Sequence, residues 1–341
     1  MKQKPIWLGA MLIFIVSHFL NADLKKIASI GSNEINYVFF VASSAVFDDD
    51  YNIYVADGKG SYVRKYNSRG IFIKEIGKYG QGPGDFSDVL SGMYYAGREL
   101  DLLDSKNMRI AVMDLDLNIK KYIQIRHTAH ALSMVNSLYY LLCPASNSPF
   151  YKIVVYDDLG IIHKEFFNQG PSFMNKMPTT KIEMAAMKIF SGLNFHFNRE
   201  SNEIVIVPKN PGNTIEVFIY SPEGKLLRKL DVDHLVNYRF PFEFKLPLKY
   251  PDKGDWISIR SIHCLPASKL LIEYSIVTYE GGKDKRTQTY ILIIDTVTGK
   301  LVHKEMIDPN MNIMDVKGNT ICVRTEEEDI CKLVVYELEL K

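Results

Sequence analysis

One stretch of this sequence recurs with its spacing intact. Asn52, Ile53, Tyr54, Val55, Ala56 and Asp57 lead through residues 58–61 to Tyr62, Val63, Arg64, Lys65, Tyr66 and Asn67. Forty-seven residues on, Glu99, Leu100, Asp101, Leu102, Leu103 and Asp104 lead through residues 105–108 to Arg109, Ile110, Ala111, Val112, Met113 and Asp114. Both copies place the polar residue ending the second run ten positions after the Asp ending the first. A fixed recurrence of one structural unit restricts the fold more tightly than local propensity does. The end of the second run returns more loosely as Val155-Tyr156-Asp157, Ile219-Tyr220-Ser221, Ile294-Asp295 and Val335-Tyr336-Glu337, each behind a β-branched or alternating stretch of the kind strands require.

Taking Tyr66, Met113, Tyr156, Tyr220, Ile294 and Tyr336 as equivalent points gives six units. Several continue through a turn bearing Gly (Gly70, Gly160, Gly224, Gly299) into a further strand, because glycine supplies the positive φ of a tight hairpin. Each unit therefore reads as a four-stranded antiparallel meander, and sheets repeated radially about an axis make a propeller. The expected fold is all-β: a six-bladed β-propeller with four-stranded antiparallel blades. Residues 312–316, 320–325 and 331–340 supply only three strands of the last blade. Residues 25–31 resemble the outer strand at 73–77, so the mature N-terminal strand is expected to close the ring.

The chain has 341 residues, 47% of them hydrophobic, which at this length supports a core without a disulfide framework or structural metal. Lys2 and Lys4 precede an apolar run over residues 6–16 and a mixed segment ending at Ala22, the layout of a secretory signal peptide and too short for a comfortable membrane span. The expected organisation is a signal peptide at 1–22 and one propeller domain at 23–341, with no stable membrane insertion once the leader is removed. Without Lys2 and Lys4, 39 basic residues face 40 acidic ones, which argues against a nucleic-acid surface built on bulk charge.

Phe47, Asp48 and residues 52–57, then Val63, Arg64, Lys65 and Tyr66, then Gly80, Gln81, Gly82, Pro83, Gly84, Asp85 and Phe86, resemble an NHL-type repeat with its G-x-G-P-G-x-F connector. The whole chain is similar to the exported six-bladed propellers of bacteria, with the motif confined to about residues 45–117. The resemblance implies a periplasmic or extracellular protein. The connector lacks the Lys-Ser/Thr ending of a phosphate loop, so its expected task is mechanical, with Phe86 plugging the seam between blades.

The fold hosts enzymes and pure binders alike, so function has to be read from side chains. His127 and His130 form an H-x-x-H in an expected interblade connection, where two imidazoles can share a metal if the chain turns between them. Asp104 and Arg109 close one repeated unit; a carboxylate there serves either a turn or a substrate. Asp48, Asp49, Asp50 and Asn52 lack calcium-loop spacing and read as a capped turn. Two insertions, 168–198 and 231–262, follow outer strands; the second carries Tyr238, Phe240 and Trp256, aromatics that suit a sugar, peptide or protein partner. Both insertions are expected on the channel-mouth face. A symmetric hairpin would set Cys322 opposite Cys331, open to a disulfide in an exported protein.

The expected function is a non-catalytic, monomeric, exported propeller binding a protein, peptide or glycan partner through its channel-mouth loops. Its ligand candidates are His127, His130, Asp104, Arg109, Tyr238, Phe240 and Trp256, and it needs no cofactor. The alternatives are a lactonase- or lyase-like enzyme with a divalent metal in the channel, and a structural domain of an envelope assembly.

Overall fold

A computed structural model of the chain describes residues 24–31, 38–144, 151–166, 193–208, 215–236, 253–280, 283–327 and 330–338. Twenty-four strands form six four-stranded antiparallel sheets. Blade 1 is β2 (Ala42–Phe47), β3 (Ile53–Asp57), β4 (Tyr62–Tyr66) and β5 (Phe72–Ile76), and blade 2 is β6 (Leu90–Tyr95), β7 (Glu99–Asp104), β8 (Arg109–Asp114) and β9 (Ile119–Gln124). Blade 3 is β10 (Ala131–Val135), β11 (Leu138–Pro144), β12 (Tyr151–Tyr156) and β13 (Ile162–Phe166); blade 4 is β14 (Leu193–Asn198), β15 (Glu203–Pro208), β16 (Glu216–Tyr220) and β17 (Leu226–Asp231). Blade 5 is β18 (Lys253–Leu265), β19 (Lys269–Glu280), β20 (Lys283–Asp295) and β21 (Leu301–Ile307). Blade 6 takes β22 (Asn312–Lys317), β23 (Thr320–Glu327) and β24 (Ile330–Leu338) from the C-terminus and β1 (Leu24–Ile30) from the N-terminus.

The closure is antiparallel, with Lys26 opposite Tyr336 and Ile30 opposite Leu333. It leaves no blade short of a strand. The six anchor residues all fall on the third strand of a blade, as the repeat requires.

Burial explains the sequence pattern. The second strands are enclosed on both faces: β3, β7, β11 and β15 are buried over almost their whole lengths, hence their continuous apolar runs. The outer strands β5 and β17 face solvent on one side and alternate. Successive residues of one strand serve opposite seams. Tyr54 and Ala56 pack with Leu100, Leu102 and Met113 of blade 2, whereas Ile53 and Val55 pack with Ala28, Ile30, Leu333 and Val335 of blade 6. Burying such side chains stabilises each seam by roughly 25 cal/mol per Å² of apolar surface removed from water.

The turns between third and fourth strands share one device. Asn67, Asp114 and Asp157 each accept two backbone N–H bonds from two and four residues ahead, between 2.8 and 3.0 Å. The residue three positions on takes a positive φ: Gly70 at 78°, Gly160 at 77°, and Leu117, without glycine's freedom, at 60°.

Two expectations need correction. Cys322 lies opposite Val335 and Cys331 opposite Glu326, because the hairpin is centred on residues 328–329. That offset of four residues separates them by roughly 13 Å along the strand, and all four cysteines are free thiols. The second insertion is shorter than its expected range: β17 runs to Asp231, a 3-10 turn covers Asp233–Leu235, and β18 begins at Lys253. The 13-residue strand β18 absorbs the remainder.

Candidate functional site

The Asp104–Arg109 pair proves to be a clamp between blades. Asp104 is fully buried. Its carboxylate accepts bonds from the Ser87 N–H and hydroxyl, from Asn107 Nδ2 at 2.8 Å and from Arg109 Nε at 3.0 Å. Arg109 donates onward to Gln81 O and Asp85 O at 3.0 and 2.8 Å, and its guanidinium carbon lies 4.2 Å from the Tyr122 ring centroid. The residue-80–86 connector is thereby wrapped around Arg109, with Phe86 fully buried in the blade 1–2 seam. Asp57 grips the preceding connector in the same way, accepting from Phe40 N, Val41 N, Gly60 N and Tyr62 OH. The 47-residue recurrence is the trace of this grip.

His127 and His130 lie in the connection between β9 and β10 but take separate partners. His127 Nδ1 meets Tyr156 OH at 2.6 Å, and its Nε2 lies 3.4 Å from Lys152 Nζ and 3.8 Å from Glu165. These belong to the third and fourth strands of blade 3, away from the axis. Burial and the Lys152 ammonium push its pKa down. His130 packs edge-on against Tyr151, with ring centroids 5.5 Å apart. Trp256 is carried on β18 opposite Val277; Tyr238 and Phe240 lie outside the described residues.

What the structure does bring together on the axis is a set of residues that the sequence pattern leaves unmarked. The first strands of all six blades surround a cavity of about 370 Å³, contributing Ser44, Tyr94, Ser133, His196, His263 and Asp315 among others. Its rim is made where these strands turn back, at Asp49, Tyr95, Arg199, Pro266 and Lys317. The insertions attach at the opposite ends of those strands, after β13 and β17 and before β14 and β18. Four of the six first strands carry a bulge, between Ala42 and Ser44, Leu90 and Gly92, Ile259 and Ser261, and Ile313 and Asp315. Bulges re-aim side chains and cluster near sites.

The rim is largely self-paired. Lys317 Nζ donates to Asp49 Oδ1 and Asp48 O, both at 2.7 Å, and Tyr95 OH donates to Asp49 Oδ2 at 3.0 Å. These contacts lower the pKa of Asp49, Lys317 foremost. Arg199 reaches across from blade 4 to blade 2: its Nε donates to Tyr94 OH at 3.0 Å, its Nη2 to Tyr95 O, and its guanidinium carbon lies 5.0 Å from the Tyr94 ring centroid. Among the described residues no carboxylate lies within ion-pair distance of it. The turn carrying Arg199 is capped by Asn198 Oδ1, which accepts from Glu200 N and Ser201 N, and is tied to blade 5 by Glu200, which accepts from Ala267 N at 2.9 Å.

Deeper in the cavity wall, the His196 and His263 rings lie 5.8 Å apart. His196 Nδ1 accepts from Cys264 N at 3.4 Å, which leaves the proton on Nε2. His263 is only 6% exposed; both of its nitrogens are sealed off, and neither makes a hydrogen bond of good geometry among the described residues, although the Ile313 backbone acts on the ring. Burial lowers the pKa values of both, His196 to about 4 and His263 to about 3, so each ring is neutral at pH 7. Asp315, which accepts from Phe47 N at 2.9 Å, is pushed up by burial to about 7. Among the described residues no group of three or more His, Cys, Asp or Glu is placed to hold a metal ion, and no helix is long and apolar enough to cross a membrane.

The six blades and their axial cavity define the class, a six-bladed β-propeller. No family model matches the sequence, and no curated protein does. The fold is similar to that of a member of the DUF4221 family from Bacteroides vulgatus (TM-score 0.61, 8% identity, covering 94% of this chain and 99% of that one). It is also similar to a Bacteroides fragilis protein inferred to be exported (TM-score 0.59, 12% identity, 94% and 95%) and to a luciferin-regenerating enzyme (TM-score 0.52, 11% identity, 91% and 94%). At such identities the likeness is one of fold.

Proposed function

We propose that this protein is an exported, monomeric binding propeller that receives its ligand in the axial cavity from the rim formed by Asp49, Tyr95, Arg199 and Lys317. The observation that carries the reading is the Arg199 guanidinium at the mouth of that cavity, which is held only by a tyrosine hydroxyl and a carbonyl oxygen and has no carboxylate partner among the described residues. The volume narrows the ligand class. At about 370 Å³ the cavity is at the small end of ligand pockets, so it suits a small molecule, or the end group of a peptide or glycan, rather than a protein face. Export rests on the leader at residues 1–22, and the fold neighbour inferred to be exported is in keeping with it.

A thermal-shift screen of polar metabolites, short peptides and oligosaccharides tests the reading, run on the wild type and on a Ser44→Phe variant that fills the cavity, with Met314→Trp as the alternative should the first not fold. Compounds that stabilise the wild type alone support it; a set that shifts both proteins equally contradicts it. Asp315, whose pKa lies near neutrality on the same wall, favours a second reading, an enzyme using this carboxyl for proton transfer. Turnover of a screened compound that disappears in Asp315→Asn, or a stoichiometric divalent ion that resists dialysis, would move the assignment there.

A further inference from the structure

The charges of the rim are unevenly spent. Asp49 is engaged by Lys317 and Tyr95, Lys317 by Asp49 and the Asp48 carbonyl, and Glu200 by Ala267 N. Arg199 alone among these groups is held only by a tyrosine hydroxyl and a carbonyl oxygen, through Nε and Nη2. Its Nη1 edge has no partner among the described residues. A guanidinium presents donors in a planar fork that matches a carboxylate, and such bonds are the strong ones. It is also pre-positioned, since the Tyr94 ring lies beneath it and Asn198 caps the turn that carries it.

Below this cation the wall asks for a different chemistry. His196, partly buried in that wall, has Nδ1 taken by Cys264 N and offers an Nε2–H donor. A hydroxyl oxygen accepts such a bond and keeps its own proton to donate elsewhere. We propose that the axial cavity binds a small hydroxylated organic acid, with its carboxylate on Arg199 and a hydroxyl group on His196. This rests on the reading of the cavity as the ligand site and adds the class of ligand. The carboxylate can belong to a free acid or to the end of a short peptide, and the two sources are separable by titration.

Isothermal titration calorimetry with malate, N-acetyl-Gly-Ser, malamide and inorganic phosphate tests the proposal on the wild type, Arg199→Gln and His196→Phe. Arg199 is exposed, and circular dichroism of Arg199→Gln checks that its fold is kept. The expected result is carboxylate binding by the wild type, weakened ten- to a hundredfold in Arg199→Gln and about fivefold in His196→Phe, with the far weaker binding of malamide unchanged by Arg199→Gln. Preference between malate and the peptide identifies the source. The proposal is overturned if Arg199→Gln binds malate as the wild type does, if phosphate binds more tightly and displaces malate, or if neither carboxylate binds. The cavity reading itself is decided separately, since a polar neutral compound that stabilises the wild type but not Ser44→Phe sustains it even when the carboxylates fail.

Discussion

Asp104 in the blade 1–2 seam and His263 in the axial wall are both buried polar residues on strands, yet they are treated in opposite ways. Asp104 receives four donor groups from three residues that it ties together. Neither His263 nitrogen receives a bond of good geometry from a described residue. Asp104 ties a connector to its blade, so its bonds hold a seam shut. His263 stands in the cavity wall and ties no connector, at a cost in unmade hydrogen bonds.

The contrast breaks most visibly at the seam. Asp104→Ala strands the Arg109 charge and releases the residue-80–86 connector, and loss of one partner from a buried pair costs about 3–5 kcal/mol; urea midpoints with unchanged m-values should record it. Asp101 is an intermediate case: fully buried on β7, with neither oxygen bonded to a described residue, its carboxyl is pushed up by burial to about 7. A raised folded-state value means that stability is fully present below the unfolded value of 3.8 and is lost as pH rises through 7. Wild-type stability should therefore fall relative to Asp101→Asn between pH 4 and 7 and hold steady above about 8, by a total on the order of 4 kcal/mol. A pH-independent difference would remove the buried carboxyl from the account.

Smaller effects sharpen the comparison. Gly77 has a φ of 112°, and a Cβ there would lie 2.5 Å from the Phe86 ring. Gly77→Ala should cost about 1–3 kcal/mol through overpacking of the same seam, read as a lowered Tm. His263→Phe should stabilise the protein by about 1–3 kcal/mol, since it removes buried nitrogens that lack a good hydrogen bond and keeps a ring of similar size in place. A loss comparable to that of Asp104→Ala would mean that His263 is a structural group after all.

The sequence announces the seams and conceals the cavity for one physical reason. A clamp such as Asp57 or Asp104 is local, gripping the connector that enters its own blade, so it repeats with the strands and shows as a 47-residue recurrence. It fades after blade 2 because β11 and β15 end in Pro144 and Pro208 instead. The closing strand was legible because residues 25–31 look like an outer strand and the last blade lacked one. The cavity residues come from all six first strands, from Ser44 to Asp315, at positions where the six blades share no one side-chain type. Only the ring brings them together. Arg199 and the two histidines therefore carry no spacing signal, whereas His127 and His130 carry one and are placed away from the axis. The Cys322–Cys331 register failed on the position of a turn, which strand patterning leaves free by a residue or two.

Histidine-selective NMR of the wild type, with His196→Phe for assignment, tests the central claim most directly. The account predicts a His196 ring that stays neutral down to about pH 5 and whose nitrogen and Cε1–H shifts move on adding malate in the wild type but not in Ser44→Phe. A His196 that titrates near pH 6.5, or one indifferent to every compound that stabilises the protein, would contradict it.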